Sequence, residues 1–336
     1  MIRRATIFAF VILSLAAAAR AGTVSSATLP NGMKVIVREG HSINLVAIDI
    51  WVRAGSSCET PETNGLTHMC EHMVFKATER YGPGQIDREI EGLGAELNAG
   101  TSKDYVHFYT TVASEYLPTA LDALADAVMN ARFRPEDLEK ERRVILDEIA
   151  RAESSPSRRA FDLFSRTVFT RHPYRLNPAG TRESISSLTR DELVLFYDRH
   201  FTPENVFVVI AGDVKPAEAV AAVEKAFKGF ESRSLARRAD PAPEPPISAP
   251  RVTRASIESD KAFVIAGYKV APSSNFREVC ALDLMLAILG DSRRGRIAAA
   301  LSAADIRFSS ITTDFTTQRH PTTFAVLVSL DPAGVE

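Results

Sequence analysis

The sequence predicts a chain of mixed helices and strands that a proline-rich segment divides into two parts. Runs rich in β-branched residues, such as Leu45–Val52, are interspersed with stretches of helical pattern, such as 135–152. Residues 232–250 contain five prolines among small and polar residues, which is typical of an extended linker. The fold class is therefore α+β, with a first unit at 22–231 and a shorter second unit at 251–336.

Local signals predict the individual elements of both units. The strands expected from β-branched and aromatic residues lie at 33–37, after a Pro-Asn-Gly turn, and at 45–52, 95–99, 104–112, 206–210, 262–268 and 324–328. Helices are expected at 65–75, 84–93, 114–129, 135–152, 216–227 and 276–288. Thr189 and Glu192 have the spacing of a capping box, which predicts another helix through Tyr197.

Composition places the chain among ordinary globular proteins. Of its 336 residues 45% are hydrophobic and 24% are charged, and the formal net charge is -2. Acidic and basic residues are mixed along the chain, which excludes the basic patch of a nucleic-acid-binding protein. The three cysteines, Cys58, Cys70 and Cys280, are too few for a disulfide scaffold, and their odd number leaves at least one unpaired.

The N-terminus has the plan of a secretory signal peptide. Arg3 and Arg4 precede an apolar stretch at 5–19, and Ala-Arg-Ala at 19–21 fits a small-x-small cleavage site. The apolar stretch is short for a spanning helix, although an uncleaved anchor or a buried first helix is the alternative. A signal peptide at 1–21 implies a periplasmic or secreted protein without a stable membrane span after cleavage.

The segment His68-Met69-Cys70-Glu71-His72 has the spacing of a zinc site. On a helix, residues i and i+4 share one face, so His68 and His72 can bind one ion while Glu71 lies beside it. This pattern is the inverted form of the commoner zinc-peptidase motif. The alternative is an exposed polar helix face. However, Met69 and other apolar neighbours place this helix near a core, where two unpaired histidines would be costly.

A catalytic zinc ion needs a third protein ligand and one open position. The helical stretch 138–149 offers Glu141 and Glu148, which are seven residues apart and therefore lie on one face two turns from each other. Val144 and Ile145 lie between them, which indicates a packed face rather than a solvated one. The alternative is a charged helix that faces water. Spacing alone does not choose between the two glutamates.

The sequence resembles the pitrilysin/insulinase family of zinc peptidases, and within it the shorter, processing-peptidase-like bacterial members. The similarity covers nearly all of 27–230 and, more weakly, the rest. The residues that carry it are Leu29 to Gly32, Gly55, Glu59, His68 to His72, Phe75, Thr78, Gly94, Asn98, Thr101, Glu141 to Glu148, His172 to Tyr174, Gly180 and Gly212.

The resemblance implies a role for each candidate site residue. His68, His72 and Glu148 would be the ligands of one Zn²⁺ ion per chain, and Glu71 would be the general base. Glu141 would orient a ligand histidine from behind.

The resemblance also implies the fold and the mode of substrate binding. The expected fold is two similar α+β domains, each an antiparallel sheet backed by helices, which close on a peptide, with the second domain incomplete in this chain. Asn98 and Ala99 match an edge strand on which an extended peptide binds. Without the resemblance, a turn at the end of a strand would be the preferred interpretation of 98–100.

Two departures from the family pattern concern the second unit. The family's second domain continues well beyond the length present here, and it carries an Arg and a Tyr that hold the substrate carbonyl. Ser302 and Phe308 stand at or near those positions and lack the charge and the hydroxyl. We therefore expect a zinc-bearing subunit that works with a homologous partner, as a heterodimer or a homodimer. The alternative is that Arg296 or Arg307 takes the role of the missing arginine.

The sequence thus favours a zinc-dependent endopeptidase that acts on peptides or small unfolded proteins. One alternative is a non-catalytic subunit that binds peptides or supports assembly. Another is a protein in which zinc is purely structural. Both alternatives leave the base Glu71 beside an open coordination position without a purpose.

Overall fold

The computed structural model of the chain describes residues 23–232, 240–291 and 293–334. The predicted signal peptide at 1–21 and residues 233–239 of the predicted linker lie outside these ranges. Within them, no helix combines the length and the apolar character needed to cross a membrane.

The first unit is built around a six-stranded sheet. Its strands are β1 (Val24–Thr28), β2 (Lys34–Glu39), β3 (Leu45–Val52), β4 (Asn98–Thr101), β5 (Val106–Ala113) and β6 (Val206–Gly212). Its α-helices are α1 (Leu66–Val74), α2 (Gln85–Gly92), α3 (Leu117–Asn130), α4 (Pro135–Glu153), α5 (Pro156–Val168), α6 (Arg182–Ser187), α7 (Arg190–His200) and α8 (Pro216–Ala226).

The strands lie in the order β1-β2-β6-β3-β5-β4, so β4 is an edge strand. Neighbouring strands are antiparallel except β2 and β6, which are parallel because helices intervene before β6 returns to the sheet. Alternation along β3 fixes one buried face, since Val46, Ile48, Ile50 and Val52 are fully buried. The helices cover this face and leave β4 accessible.

Several elements differ from those that the sequence predicts. The strand expected at 95–99 begins only at Asn98, because the chain is still capping α2: Gly94 has φ +74° and the Ala95 N–H donates to the Ile90 carbonyl. The sequence predicted neither α5 nor α6, and in the second unit it predicted neither the helix at 296–303 nor the strand at 308–315. Helix α5 shows one signal that was available. This helix begins with Pro156 at its first position, where the missing N–H costs nothing.

The second unit is a three-stranded antiparallel sheet with two helices. Its elements are β7 (Ala262–Val270), α9 (Phe276–Gly290), α10 (Arg296–Ala303), β8 (Phe308–Phe315) and β9 (Thr322–Leu330). The strand order is β7-β9-β8. The described residues before it, 240–261, contain neither helix nor strand.

The two units repeat one topology. In the first, β3 is followed by α1, α2, β4 and β5, and β5 lies between β3 and β4. In the second, β7 is followed by α9, α10, β8 and β9, and β9 lies between β7 and β8. The expected architecture of two similar α+β units is therefore confirmed.

Polar contacts join the units around the loop that follows α5. Both carboxylate oxygens of Glu244 accept backbone N–H groups of Thr170, Arg171 and His172, at 2.8–2.9 Å. Burial opposes the charge of Glu244, but these hydrogen bonds outweigh it and lower its pKa to about 2. The linker is thus held against the first unit by a carboxylate that stays ionised over the working pH range, and Lys269 of the second unit donates in turn to the backbone carbonyl of Glu244 at 3.4 Å.

Candidate metal centre

The metal centre begins with the buried carboxylate of Glu59, which fixes the start of α1. Glu59 accepts hydrogen bonds from the backbone N–H groups of Gly65, at 2.9 Å, and Thr67, at 2.8 Å. Gly65 has φ +90°, and a Cβ there would lie 2.9 Å from the Cα of Gly180. A glycine is needed at this point because both the conformation and the close approach exclude a side chain. The first turn of α1 is therefore rigidly placed.

One face of α1 presents His68 and His72 to α4. Their Nε2 atoms lie 3.3 Å apart, and Glu148 Oε2 lies 3.7 Å from the first and 3.8 Å from the second. Ligand atoms about 2.0–2.1 Å from a tetrahedral zinc ion are about 3.4 Å apart. The three side chains therefore have the spacing that one zinc ion requires.

Hydrogen bonding fixes the ring of His72 for metal binding. Its Nδ1 lies 3.0 Å from Glu141 Oε2, so Nδ1–H donates and Nε2 keeps its lone pair. The other oxygen of Glu141 accepts from Lys76 Nζ at 2.9 Å. Burial acts to raise the pKa of Glu141, but these two partners outweigh it and the pKa is lowered. Glu141 is thus a stable anion behind His72.

The environment of His68 disfavours its charged form. Burial, followed by the neighbouring His72, lowers the pKa of His68 to about 4. Its Nδ1 is buried without a hydrogen-bond partner in the described part of the chain. Two imidazoles and a carboxylate converge here, and a single shared proton cannot satisfy all three. A bound cation can, so the residues fit a metal ion.

Glu71 lies on α1 between the two histidines and is held by the edge strand. The Thr101 hydroxyl, at the end of β4, donates a short hydrogen bond to Glu71 Oε2. Burial is the largest influence on Glu71 and raises its pKa, helped by Glu148 and opposed by Thr101 and His72. The carboxylate therefore has a higher proton affinity than an exposed glutamate.

The structure brings together all five residues that the sequence proposed for the metal site: His68, Glu71, His72, Glu141 and Glu148. It also answers the question that spacing left open, because Glu148 faces both Nε2 atoms whereas Glu141 faces His72 Nδ1. The residues proposed for substrate binding, Asn98 and Ala99, lie on the outer strand β4.

Sequence reasoning gave no role to Thr101. The period of two along a strand was the available signal, because Ala99 and Thr101 share one face of β4. Ser302 lies in α10 and Phe308 begins β8, both in the second unit. A cavity beside His68 and Glu148 is lined, among the described residues, from the first unit alone.

Comparison with known families agrees with this geometry. The profile of the insulinase family (peptidase family M16) matches residues 34–182, and that of the peptidase M16 inactive domain matches 187–336. The chain belongs to the peptidase M16 family. The predicted resemblance to pitrilysin and insulinase is therefore confirmed.

Curated relatives of this M16 chain are named zinc proteases. An uncharacterised zinc protease of Mycobacterium leprae is 32% identical over 284 residues, which is 83% of this chain and 63% of that protein. One from Streptomyces coelicolor is 34% identical over 248 residues, 74% and 52% respectively. A probable mitochondrial-processing peptidase subunit beta of Arabidopsis thaliana is 35% identical over 205 residues, 61% and 39%. The chain thus spans between 39% and 63% of the length of these relatives.

Solved structures share the fold. A protease from Helicobacter pylori superposes with a TM-score of 0.86 at 23% identity, over 93% of this chain and 76% of that one. Pitrilysin superposes with a TM-score of 0.75 at 19% identity, over 94% of this chain and 35% of the other. At these identities the likeness concerns the fold alone.

Proposed function

We propose that this M16 chain is a zinc-dependent endopeptidase that hydrolyses peptides or small unfolded proteins. The observation that carries the proposal is the convergence of His68, His72 and Glu148 beside Glu71. The first three would hold one Zn²⁺ ion. When bound, the ion supplies Lewis acidity and lowers the pKa of a water molecule at the open coordination position.

Glu71 is the proposed general base. Its carboxylate takes one proton from the attacking water and returns it to the amide nitrogen as the C–N bond breaks. The raised pKa of Glu71 suits both transfers, because a stronger base accepts the proton more readily at neutral pH. Thr101 restrains one carboxylate oxygen, and Glu141 keeps His72 in the tautomer whose Nε2 is free.

The substrate is proposed to add a strand to β4. Within the described chain β4 pairs only with β5, so the N–H and C=O groups of every second residue of β4, one of Asn98 and Ala99 among them, point outward and are available to an extended peptide. Thr101 at the end of the same strand contacts Glu71, so a peptide on β4 lies next to the base. An extended backbone is needed for this pairing, which favours unstructured substrates.

A homologous partner subunit is also proposed, as a heterodimer or a homodimer. Its support is Ser302 and Phe308 in place of an arginine and a tyrosine, together with the Arabidopsis relative that is named a subunit. Activity of the purified chain is to be compared with and without a related chain that carries the arginine and the tyrosine. Full activity of the chain alone as a monomer, shown by its size in solution, would contradict the partner.

The periplasmic or secreted location rests on residues 1–21 and is tested by fractionation. The mature protein should appear outside the cytoplasm with Gly22 as its first residue.

The deciding experiment for the peptidase is Glu71→Gln. Hydrolysis of an internally quenched peptide should fall by about 10²–10⁴-fold while one zinc per chain is retained. Glu89→Gln, an exposed change on α2, is the matched control. Unchanged hydrolysis in Glu71→Gln would refute this mechanism. Peptide binding without hydrolysis in the zinc-loaded native protein would favour the non-catalytic subunit instead.

A further inference from the structure

A cavity of about 830 Å³ opens directly beside the metal centre. His68 and Glu148 form part of its wall, and the rest comes from the end of α4, from α5 and from the loop at 176–179. Its volume lies in the range of about 300–1,000 Å³ that is usual for ligand-binding pockets. A peptide substrate bound at the metal centre can therefore place a residue next to its scissile bond in this space.

Two arginines give the cavity its charge. Arg151, in the last turn of α4, and Arg158, in the first turns of α5, both line it. Both side chains are exposed, and neither forms an ion pair or a side-chain hydrogen bond with another described residue. Guanidinium groups stay protonated at every working pH, so both positive charges lack a protein counter-ion.

The other charged groups of the wall are already engaged. Asp162 pairs with Arg166 at 3.0 Å, and Glu148 turns towards the histidines at 3.7 and 3.8 Å. Lys103 Nζ donates to the Tyr174 carbonyl at 2.5 Å, and burial lowers its pKa to about 8. The cavity therefore carries the positive charges of the two arginines and, at neutral pH, that of Lys103, whose hydrogen bond is to a neutral carbonyl.

The remaining wall is largely apolar, with Phe161, Leu176 and Pro178 among its residues. An apolar wall with cations at one side matches a group that combines methylene carbons with a carboxylate. The planar guanidinium fork binds both oxygens of a carboxylate, which a neutral amide of the same shape cannot match in charge.

We propose that this cavity is a specificity subsite in which Arg151 and Arg158 bind a carboxylate of the substrate near the scissile bond. The proposal rests on the proposed peptidase function. The carboxylate belongs either to an aspartate or glutamate side chain or to the C-terminus of a short peptide. The two sources present the same chemistry to the arginines.

Binding is tested in zinc-loaded Glu71→Gln protein, so that the readout is independent of hydrolysis. The probes are two fluorescein-labelled unstructured peptides that differ only in glutamate or glutamine at each of several positions. The glutamate peptide should bind more tightly, and Arg151→Glu/Arg158→Glu should reduce that preference by about tenfold, with the loss shrinking at high salt. The control is Arg159→Glu, an exposed neighbour on α5 that does not line the cavity and should keep the preference.

Hydrolysis gives the second readout. The substrates are internally quenched peptides of otherwise neutral sequence, in which one glutamate is moved from position to position. Each peptide is made with a free and with an amidated C-terminus. Cleavage is measured with protein that keeps the native Glu71. A preference at one position that survives amidation assigns the side-chain carboxylate, and one abolished by amidation assigns the C-terminus.

No preference for a carboxylate in either readout, or an equal loss in the Arg159→Glu control, would overturn the subsite. Absence of hydrolysis by the native chain, both alone and with the proposed partner, together with carboxylate-selective binding would instead refute the peptidase function and leave the subsite standing.

Discussion

The two units share a topology but differ in what their corresponding helices carry. Helix α1 follows β3 and bears His68, Glu71 and His72 on one face, whereas α9 follows β7 and contains no histidine. Its acidic residues have other roles or face solvent. The Glu278 carboxylate accepts a hydrogen bond from the side-chain amide of Asn275, the N-cap residue of α9, and Asp283 is exposed. The same strand–helix–helix–strand–strand arrangement therefore supports a metal centre only where the side chains supply one.

The units also differ in how completely their apolar faces are covered. In β3 every second residue, from Val46 to Val52, is fully buried. In the second unit Tyr268 of β7 is 78% exposed, and Leu284 of α9 is 66% exposed. Since burial of apolar surface is the main stabilising contribution, we expect the first unit to be the more stable of the two. The candidate metal centre thus lies on the more completely buried half of the described chain.

The largest effect should come from removing a ligand from α1. His72→Ala should abolish stoichiometric zinc and lower peptide hydrolysis by about 10³-fold or more, because metal catalysis contributes several kcal/mol. Asp283→Ala makes the matched change on α9 and should leave one zinc per chain. Elemental analysis and hydrolysis assays check both. One zinc per chain retained by His72→Ala would mean that the ion binds elsewhere.

The difference in burial is tested by truncating one strand residue in each unit. Ile48→Ala removes a fully buried side chain of β3 and should lower the free energy of unfolding by about 2–5 kcal/mol. Val264→Ala, at a 43% exposed position of β7, should cost less than about 1 kcal/mol. Trp51, the single tryptophan, lies in β3 and reports unfolding of the first unit in denaturant, while far-ultraviolet circular dichroism follows both units. Equal losses of free energy of unfolding in the two variants would contradict the difference in burial between the units.

Much of this fold could be predicted because local signals and tertiary packing agree. The capping box of Thr189 and Glu192 is present as expected, with each side chain accepting the other's backbone N–H. The misplacement of β4 has a physical reason: the chain leaves α2 through a left-handed glycine, whose hydrogen bonds take precedence over strand propensity. The helix α5 was missed because it is stabilised by packing against β7, a contact from another unit.

Some residues of the candidate site could likewise be predicted from the sequence, and others could not. Spacing on one helix was enough to propose His68 and His72, because both lie within a single turn of one another. Spacing could not choose between Glu141 and Glu148, since that choice depends on how α4 crosses α1. Arg151 and Arg158 were not proposed at all, because the cavity they line forms only when α4, α5 and the 176–179 loop come together.

The contact between the units should respond to pH through His172. Burial, followed by the nearby His320, lowers the pKa of His172 to about 4, with Asp104 and Glu244 opposing and Lys103 assisting. In the unfolded chain the pKa is about 6.5, so between these values the unfolded state binds the extra proton. The stabilising contribution is therefore complete above about pH 6.5 and is lost as pH falls towards 4, by up to about 3 kcal/mol.

His172→Asn tests this dependence, because its side-chain oxygen can replace Nδ1 as acceptor of the Tyr174 N–H. Denaturation at pH 7 and pH 4.5 should show a smaller loss of stability in the variant than in the native chain. The control is His41→Asn. His41 is exposed, and Asp213 and Glu39 raise its pKa, so it stabilises at low pH and its removal cannot reduce the loss. An unchanged loss in His172→Asn would exclude His172 as the source.

The smallest effect concerns the side chain behind the metal ligand. Glu141→Gln keeps an acceptor for His72 Nδ1–H but removes the negative charge that pairs with Lys76. The zinc affinity should therefore fall by about 10–100-fold. Competition with a chelating dye measures the change. Asp147→Asn removes an exposed charge from the same helix, one residue from Glu148, and should shift the affinity much less. Equal losses would assign the effect to general electrostatics. A loss confined to Glu141→Gln would mean that the metal centre of the first unit depends on its buried hydrogen-bond partner as well as on its ligands.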